Sequence, residues 1–229
     1  MKILAIDTCL SAASVAVASE DKVFGLFYID NKLTHSVKLM PMIKSVLSEL
    51  DMTISDIDAL ACTNGPGSFT GIRIGMATVK GLAMPEDKPI LTVSSLAATA
   101  YNFSCQMLPV IAMTDARNSQ VFYGKYQFAE KGFTELIPPQ AAEISQICSN
   151  ITSPVIICGD GAVRYREILK ENRNIIFAPP HQNMPSAATV AAAAFDEIKI
   201  NGFPPAEKID ALYVRKSSAE QEKERKNIK

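Results

Sequence analysis

The chain has 229 residues, enough for one large domain or two lobes. With 48% hydrophobic and 21% charged residues it reads as a globular protein and not as a disordered one. A net charge of −1 argues against a broad basic surface for RNA or DNA, so any nucleic-acid role would draw most of its positive charge from another subunit. The cysteines Cys9, Cys62, Cys105, Cys148 and Cys158 are odd in number and lack CxxC spacing, which reads as reduced thiols in a cytoplasmic protein. Met1 leads directly into a strand pattern, with no signal-peptide pattern, and no apolar run is long enough to cross a bilayer.

In chain order, residues 2–7 form a short apolar run ending in Asp7, the pattern of a central strand. Residues 14–19 and 23–29 alternate as strands around the polar turn Glu20-Asp21-Lys22. Residues 34–51 predict a helix with Leu39, Ile43, Val46 and Leu50 on one stripe and Met40 and Leu47 beside it; Pro41 is expected in its first turn or as a kink at its start. A buried strand at 58–63, a glycine-rich turn and helix at 65–83, a strand at 89–93 and a helix at 94–103 complete the first half. The second half predicts strands at 108–113, 120–128 and 133–137, a helix at 140–151, a strand at 154–158, a helix at 162–172, a strand at 175–177 and an alanine-rich helix at 186–200. No letters repeat, but the order βββαβαβα does, which indicates two similar α/β lobes with right-handed crossovers. The expected boundaries are 1–104 and 105–218, followed by a charged tail at 219–229 that reads as disordered or as a frayed helix.

The most unusual stretch is GPGSFTGIRIGMATVKGLA at 65–83. Strand, glycine turn and helix N-terminus could form an anion site, or simply a tight turn feeding a closely packed helix; the spacing matches neither a dinucleotide fold nor a P-loop. Ser68 or Thr70 can cap the helix. Gly71 and Gly75 share a face, so another backbone must come close there, flanked by Ile72, Met76, Val79 and Ala83. That backbone could belong to this chain or to a partner. Arg73 and Lys80 lie near one face, either to pair with acids on a partner or as a solvated edge.

Two βββαβαβα lobes resemble the actin, hexokinase and Hsp70 (ASKHA) superfamily, in which nucleotide sits between the lobes. The matching positions here are Asp7 and Thr8, Asp115-Ala116-Arg117, and Gly159-Asp160-Gly161-Ala162. Asp7, at a strand end, could hold a hydrated magnesium ion, but the first turn has no glycine to admit phosphate to the backbone. His35 and His181 show no ligand spacing, no cysteine pair accompanies them and no nucleophile elbow is present, so neither a metal site nor a hydrolytic triad is expected. His35 reads as a capping or packing residue.

The segments MKILAIDTCLSAASVAV (1–17), HSVKLMPMI (35–43), NGPGSFTGIRIGMATVKGLA (64–83), DARNSQVFYGKY (115–126), GDGA (159–162) and ALYVR (211–215) together resemble the TsaB (YeaZ) family. The glycine segment is the most specific. Departures are Cys9 where serine is common, and Val37 and Lys38 in a region where the family usually has an acid, a change that could alter a partner contact. The resemblance implies a non-catalytic subunit of the bacterial machinery that makes threonylcarbamoyladenosine next to the tRNA anticodon. It implies a heterodimer with the catalytic subunit TsaD, recruitment of the ATPase TsaE, and contact with tRNA through the complex. It further implies a homodimer when TsaD is absent, and no cofactor beyond weak ATP or ADP contact in the complex. The docking face is expected on helices 34–51 and 70–83, using Met40, Ile43, Leu47, Gly71, Ile72, Arg73, Gly75, Met76, Val79 and Lys80, so Met76→Asp should break the complex and spare the fold. The competing class is an enzyme: a small-molecule kinase of the superfamily, or a glycoprotease.

Overall fold

A computed structural model of the chain describes residues 1–31, 33–129, 132–204, 209–212 and 214. The tail call at 219–229, and Tyr213 and Arg215 of the 211–215 motif, lie outside these residues.

The first half contains β1 (Ile3–Asp7), β2 (Ala13–Ala18), β3 (Val23–Ile29), α1 (His35–Glu49), β4 (Ala59–Gly65), α2 (Phe69–Ala83), β5 (Ile90–Ser94) and α3 (Ser95–Ala100). The second contains β6 (Val110–Arg117), β7 (Gln120–Ala129), β8 (Gly132–Glu143), α4 (Ile144–Asn150), β9 (Val155–Cys158), α5 (Asp160–Arg164), α6 (Arg166–Leu169), β10 (Ile175–Phe177) and α7 (Ala187–Asn201). The first sheet runs β3-β2-β1-β4-β5 and the second β8-β7-β6-β9-β10. In each, the opening three strands are antiparallel and the later ones join in parallel. The duplicated order read from the sequence is therefore a duplicated topology.

Alternation along the strands assigns the layers. Leu4, Ile6, Val15, Val17, Leu60 and Cys62 face one side of the first sheet and bury the inner stripes of α1 and α2. Ile3, Ala5, Ala16, Ala18, Ala59 and Ala61 face the other side, in a core shared with α3, α7 and the second sheet. The alanines on both surfaces allow the alanine-rich α7 to lie close to β1 and β2. Its first amide, of Ala187, donates to the Ser14 hydroxyl at 2.8 Å. The last helix of the second half thus packs on the sheet of the first, and α3 reaches β6 and β7. A boundary at 104/105 separates the strands but not the cores.

Four elements differ from expectation. Strand β8 runs through Pro138 and Pro139 to Glu143, and helix α4 begins only at Ile144. The strand lies at a sheet edge, paired only with β7, so outward amides there need no ladder partner and proline is tolerated. The helix expected at 162–172 is two short helices that meet at Tyr165, whose backbone (φ −103, ψ 22) is not helical. The helix expected at 94–103 ends at Ala100 and continues as a 3₁₀ turn over Tyr101–Phe103. Pro41 sits beyond the first turn of α1, on the exposed side, where water can satisfy the carbonyl that loses its bond.

Candidate functional site: enclosed phosphate turns and an exposed helix face

The turn after β1 is closed by the glycine-rich turn after β4. The Ser68 amide donates to the Cys9 carbonyl at 2.7 Å, and a methyl group added at Gly67 would lie 2.3 Å from that same oxygen. Asp7 is 1% exposed; its Oδ1 accepts from the Thr63 hydroxyl at 2.6 Å and the Cys9 amide at 3.2 Å, and its Oδ2 is buried without a partner. Burial pushes the Asp7 carboxyl above its usual range, and the Thr63 and Cys9 hydrogen bonds offset this only in part. Thr8 spends its hydroxyl on the Gly71 carbonyl at 2.8 Å. This acid and this turn face inward, toward their own chain.

The second-half positions are also occupied. Asp115 accepts from the Arg117 amide and the Tyr165 hydroxyl, each at 3.0 Å, and pairs with Arg164 Nε at 3.4 Å. Its own amide donates to Asp160 at 3.3 Å. Gly159 (φ +100) lets β9 turn against β6: a methyl group there would fall 2.0 Å from the Met113 carbonyl oxygen. Gly161 packs on Met113 and Val121. These glycines admit neighbouring backbone, so the two turns do not form a phosphate cradle.

The same accounting corrects most of the expected docking residues. Ile43, Ile72, Met76 and Val79 are 2%, 1%, 8% and 0% exposed within this chain. Gly71 and Gly75 face Thr8: added methyl groups would meet its carbonyl oxygen at 2.0 Å and its hydroxyl at 2.5 Å. The close neighbour that the glycines require is thus Thr8, just past β1, through its backbone at Gly71 and its hydroxyl at Gly75. Ser68 caps α2, its hydroxyl accepting from the Gly71 amide at 3.2 Å. Leu47 is half-buried, whereas Met40, Arg73 and Lys80 reach the surface. The Arg73 guanidinium lies 4.0 Å from the Phe69 ring centre, and Lys80 donates to the Ile209 carbonyl at 3.4 Å.

That last contact belongs to a strap. Residues 209–212 return to the first lobe, with the Leu212 amide on the Asn64 carbonyl at 2.8 Å and the Asn64 side-chain amide on the Asp210 carbonyl at 3.2 Å. His35 ties the start of α1 to the β1–β2 turn through Nε2 and the Leu10 carbonyl at 2.9 Å. It packs there, between the two elements.

What α1 leaves outward is an apolar ridge. Val37 is 61% and Met40 41% exposed, and Leu33 just before the helix is 58% exposed. The sequence reading missed Leu33 and noted Val37 only as a departure that could alter a partner contact. For Val37 the signal was its spacing with Met40, three residues on and beside the buried stripe. Among the described residues no helix is long and apolar enough to cross a membrane, and no group of three metal-ligating acids, histidines or cysteines occurs.

Comparison with known proteins agrees with this architecture. A family model described as "TsaD: tRNA N6-adenosine threonylcarbamoyltransferase" matches residues 30–210. The tRNA threonylcarbamoyladenosine biosynthesis protein TsaB of Bacillus subtilis is 31% identical over 215 residues, covering 90% of this chain and 93% of that one. The solved structure of YeaZ from Pseudomonas aeruginosa superposes with a TM-score of 0.81 at 27% identity, covering 93% and 99% of the two chains. A tRNA N6-adenosine threonylcarbamoyltransferase of Novosphingobium aromaticivorans is 44% identical over only 62 residues, 27% of this chain and 18% of that protein. The match to that one transferase is short, whereas the Bacillus subtilis TsaB aligns over 90% of this chain. With its two five-stranded sheets of matching topology and this likeness along most of its length, the chain belongs to the TsaB (YeaZ) family.

Proposed function

We propose that this chain is a non-catalytic docking subunit in the formation of threonylcarbamoyladenosine in tRNA. It binds and activates a catalytic subunit of the TsaD kind and helps recruit the ATPase TsaE. The observation that carries this reading is a contrast in exposure. The acid at the first-lobe phosphate position is sealed at 1% exposure, whereas α1 presents Val37 and Met40 to solvent. A surface of exposed apolar side chains beside a second packed helix fits a helical partner. In this reading the docking face is Leu33, Val37 and Met40 with the outer edge of α2 at Arg73 and Lys80, and the buried residues of α2 support it from beneath. The chain needs no cofactor of its own, tRNA is met through the complex, and without the catalytic subunit the same ridge pairs two copies of this chain.

The test is light scattering after size exclusion, on this protein alone and mixed with its own organism's TsaD. A new peak at the summed mass is expected. It should be lost in the double variant Val37→Asp, Met40→Asp, which should still run as a folded monomer, because both positions are solvent-exposed without the partner while a charge buried in the complex is costly. Two unchanged peaks, with and without ATP and TsaE, would overturn the docking reading.

A further inference from the structure

The two sheets end in four edge strands, β3, β5, β8 and β10. An edge invites pairing with another chain, and proteins blunt it with prolines, charges, shortness or a covering element. Three of the four are blunted here. Strand β8 carries Pro138, Pro139 and Glu135. Strand β10 has only three residues. Strand β5 is buried or half-buried along its five residues and runs straight into α3. Strand β3 differs: its seven residues, VFGLFYI, contain no proline and no charge. A single bulge at Phe24 is its one interruption, where the register against β2 shifts between Val17 and Ala18.

That bulge sorts the side chains. Val23, Leu26 and Tyr28 stand opposite Ala18, Ala16 and Ser14, so they share the sheet face on which α7 packs. Helix α7 lies mainly over β1 and β2, and all three side chains are exposed. Gly25, Phe27 and Ile29 stand opposite Val17, Val15 and Ala13, on the α1 face. An apolar strip thus runs along the one unblunted edge, and it is complementary to itself. Turned end for end about Leu26, the strand sets Leu26 against Leu26 and, past the bulge, Val23 against Tyr28. The three exposed side chains then cover their own copies. On the other face Gly25 falls opposite Phe27, a small residue against a large one.

The ends of the strand match in charge. Exposed Lys22 precedes it and exposed Asp30 follows it, so antiparallel pairing brings each lysine toward the partner's aspartate, whereas parallel addition sets like against like. Glu20 is already paired with Lys199 at 2.7 Å, and Asp21 lies in the turn that leads back to β2.

We propose that β3 pairs antiparallel with the β3 of a second copy of this chain, about a two-fold axis through Leu26, joining the two first-lobe sheets into one. The contact uses none of the α1 ridge residues and does not rest on the docking function proposed above. A seven-residue pairing is smaller than a standard interface of about 800 Å² per partner, so the association is weak and concentration-dependent.

The test starts from the double variant Val37→Asp, Met40→Asp, in which pairing through the ridge is removed. Sedimentation velocity between about 1 μM and about 1 mM should show a reversible shift from monomer to dimer. Adding Leu26→Lys should leave monomer throughout at an unchanged Tm, since the position is exposed in the free chain. The register is read by cysteine cross-linking in a Cys105→Ser background, which removes the exposed native thiol. Directly opposed residues have Cα atoms about 4.5–5.5 Å apart, within disulfide range, so mild oxidation of Leu26→Cys should give a dimer linked 26 to 26. Tyr28→Cys, which the pairing sets against Val23, should not link to itself. Monomer at every concentration, or a dimer that survives Leu26→Lys, would overturn the proposal. Equal linking of Leu26→Cys and Tyr28→Cys would overturn the register and the proposal with it. If Leu26→Lys lowers the Tm, the cysteine arm decides, and failure to link 26 to 26 would overturn the pairing. TsaD enters neither arm, so these outcomes are separate from the fate of the docking reading.

Discussion

Replacing Gly71 with alanine separates an internal glycine strip from one built for a partner, because the two cases differ in sign. Alanine is favoured over glycine inside a helix by about 1 kcal/mol. Were the strip open to solvent in the free chain, Gly71→Ala would stabilise it by that amount. Here the added methyl would lie 2.0 Å from the Thr8 carbonyl oxygen, 3.2 Å from its carbon and 3.3 Å from the His35 ring. The nearest atom is backbone at the end of a central strand and cannot rotate away. Relief requires α2 to retreat, which strains the Thr8–Gly71 hydrogen bond and the Gly67 contact with Cys9. Overpacking of this kind costs about 1–3 kcal/mol, and an immovable neighbour puts it at the upper end. After the propensity gain, a net loss of about 2 kcal/mol remains, or about 4–8 °C in Tm for a chain of this size. Gly81, on the same helix with nothing within 4 Å of an added methyl, is the control: Gly81→Ala should gain about 0.5–1 kcal/mol. Thermal melts by circular dichroism read both. If Gly71→Ala rises alongside Gly81→Ala, the close approach of α2 to Thr8 is wrong.

Met76→Asp should fail to give a folded monomer, because its side chain is 8% exposed in the core beneath α2; recovery of a soluble variant with a cooperative melt would contradict that packing. Asp7→Asn should be as stable as wild type or more so at pH 7. A carboxyl whose folded pKa is raised favours the folded state below the unfolded value and loses that contribution as pH rises through the folded value. The advantage of asparagine should therefore shrink as the pH is lowered toward the ordinary carboxylate range; a constant or growing advantage would refute the assignment. A kinase reading instead expects magnesium-dependent ATP turnover that Asp7→Ala abolishes. Native alkylation with iodoacetamide at pH 8, read by mass spectrometry, should label exposed Cys105 and spare Cys9, Cys62 and Cys158, since burial pushes the Cys62 thiol up to about 12 and raises the other two. Rapid labelling of Cys62 would show that β4 opens readily.

The strands were legible because their signals are local. Residues 2–7, an apolar run, and 14–19, an alternating one, read as strands, and the strands found at Ile3–Asp7 and Ala13–Ala18 are buried on both faces. The stripe Leu39, Ile43, Val46 was legible for the same reason. Where the reading failed, the deciding contact was distant in sequence. Pro138 and Pro139 announce a break unless the strand happens to be an edge, and edge position follows from sheet order. The glycines of α2 demand a close neighbour, but only the fold identifies it as Thr8, more than sixty residues earlier. Met76 has the composition of an interface residue and the exposure of a core one.

By itself, then, the sequence determined the two-lobed α/β class, the order of strands and helices, the capped glycine helix and the family. All of these follow from short-range periodicity, turn chemistry and motif spacing. Tertiary structure alone decided which faces are spent. Crossing α7 onto the first sheet, closing the Gly65–Gly67 turn over Cys9 and laying residues 209–212 along β4 fill the surfaces that the sequence left unassigned. What remains outward is the ridge of Leu33, Val37 and Met40. Burial is a property of the whole chain's packing, and periodicity can name a face without naming what covers it.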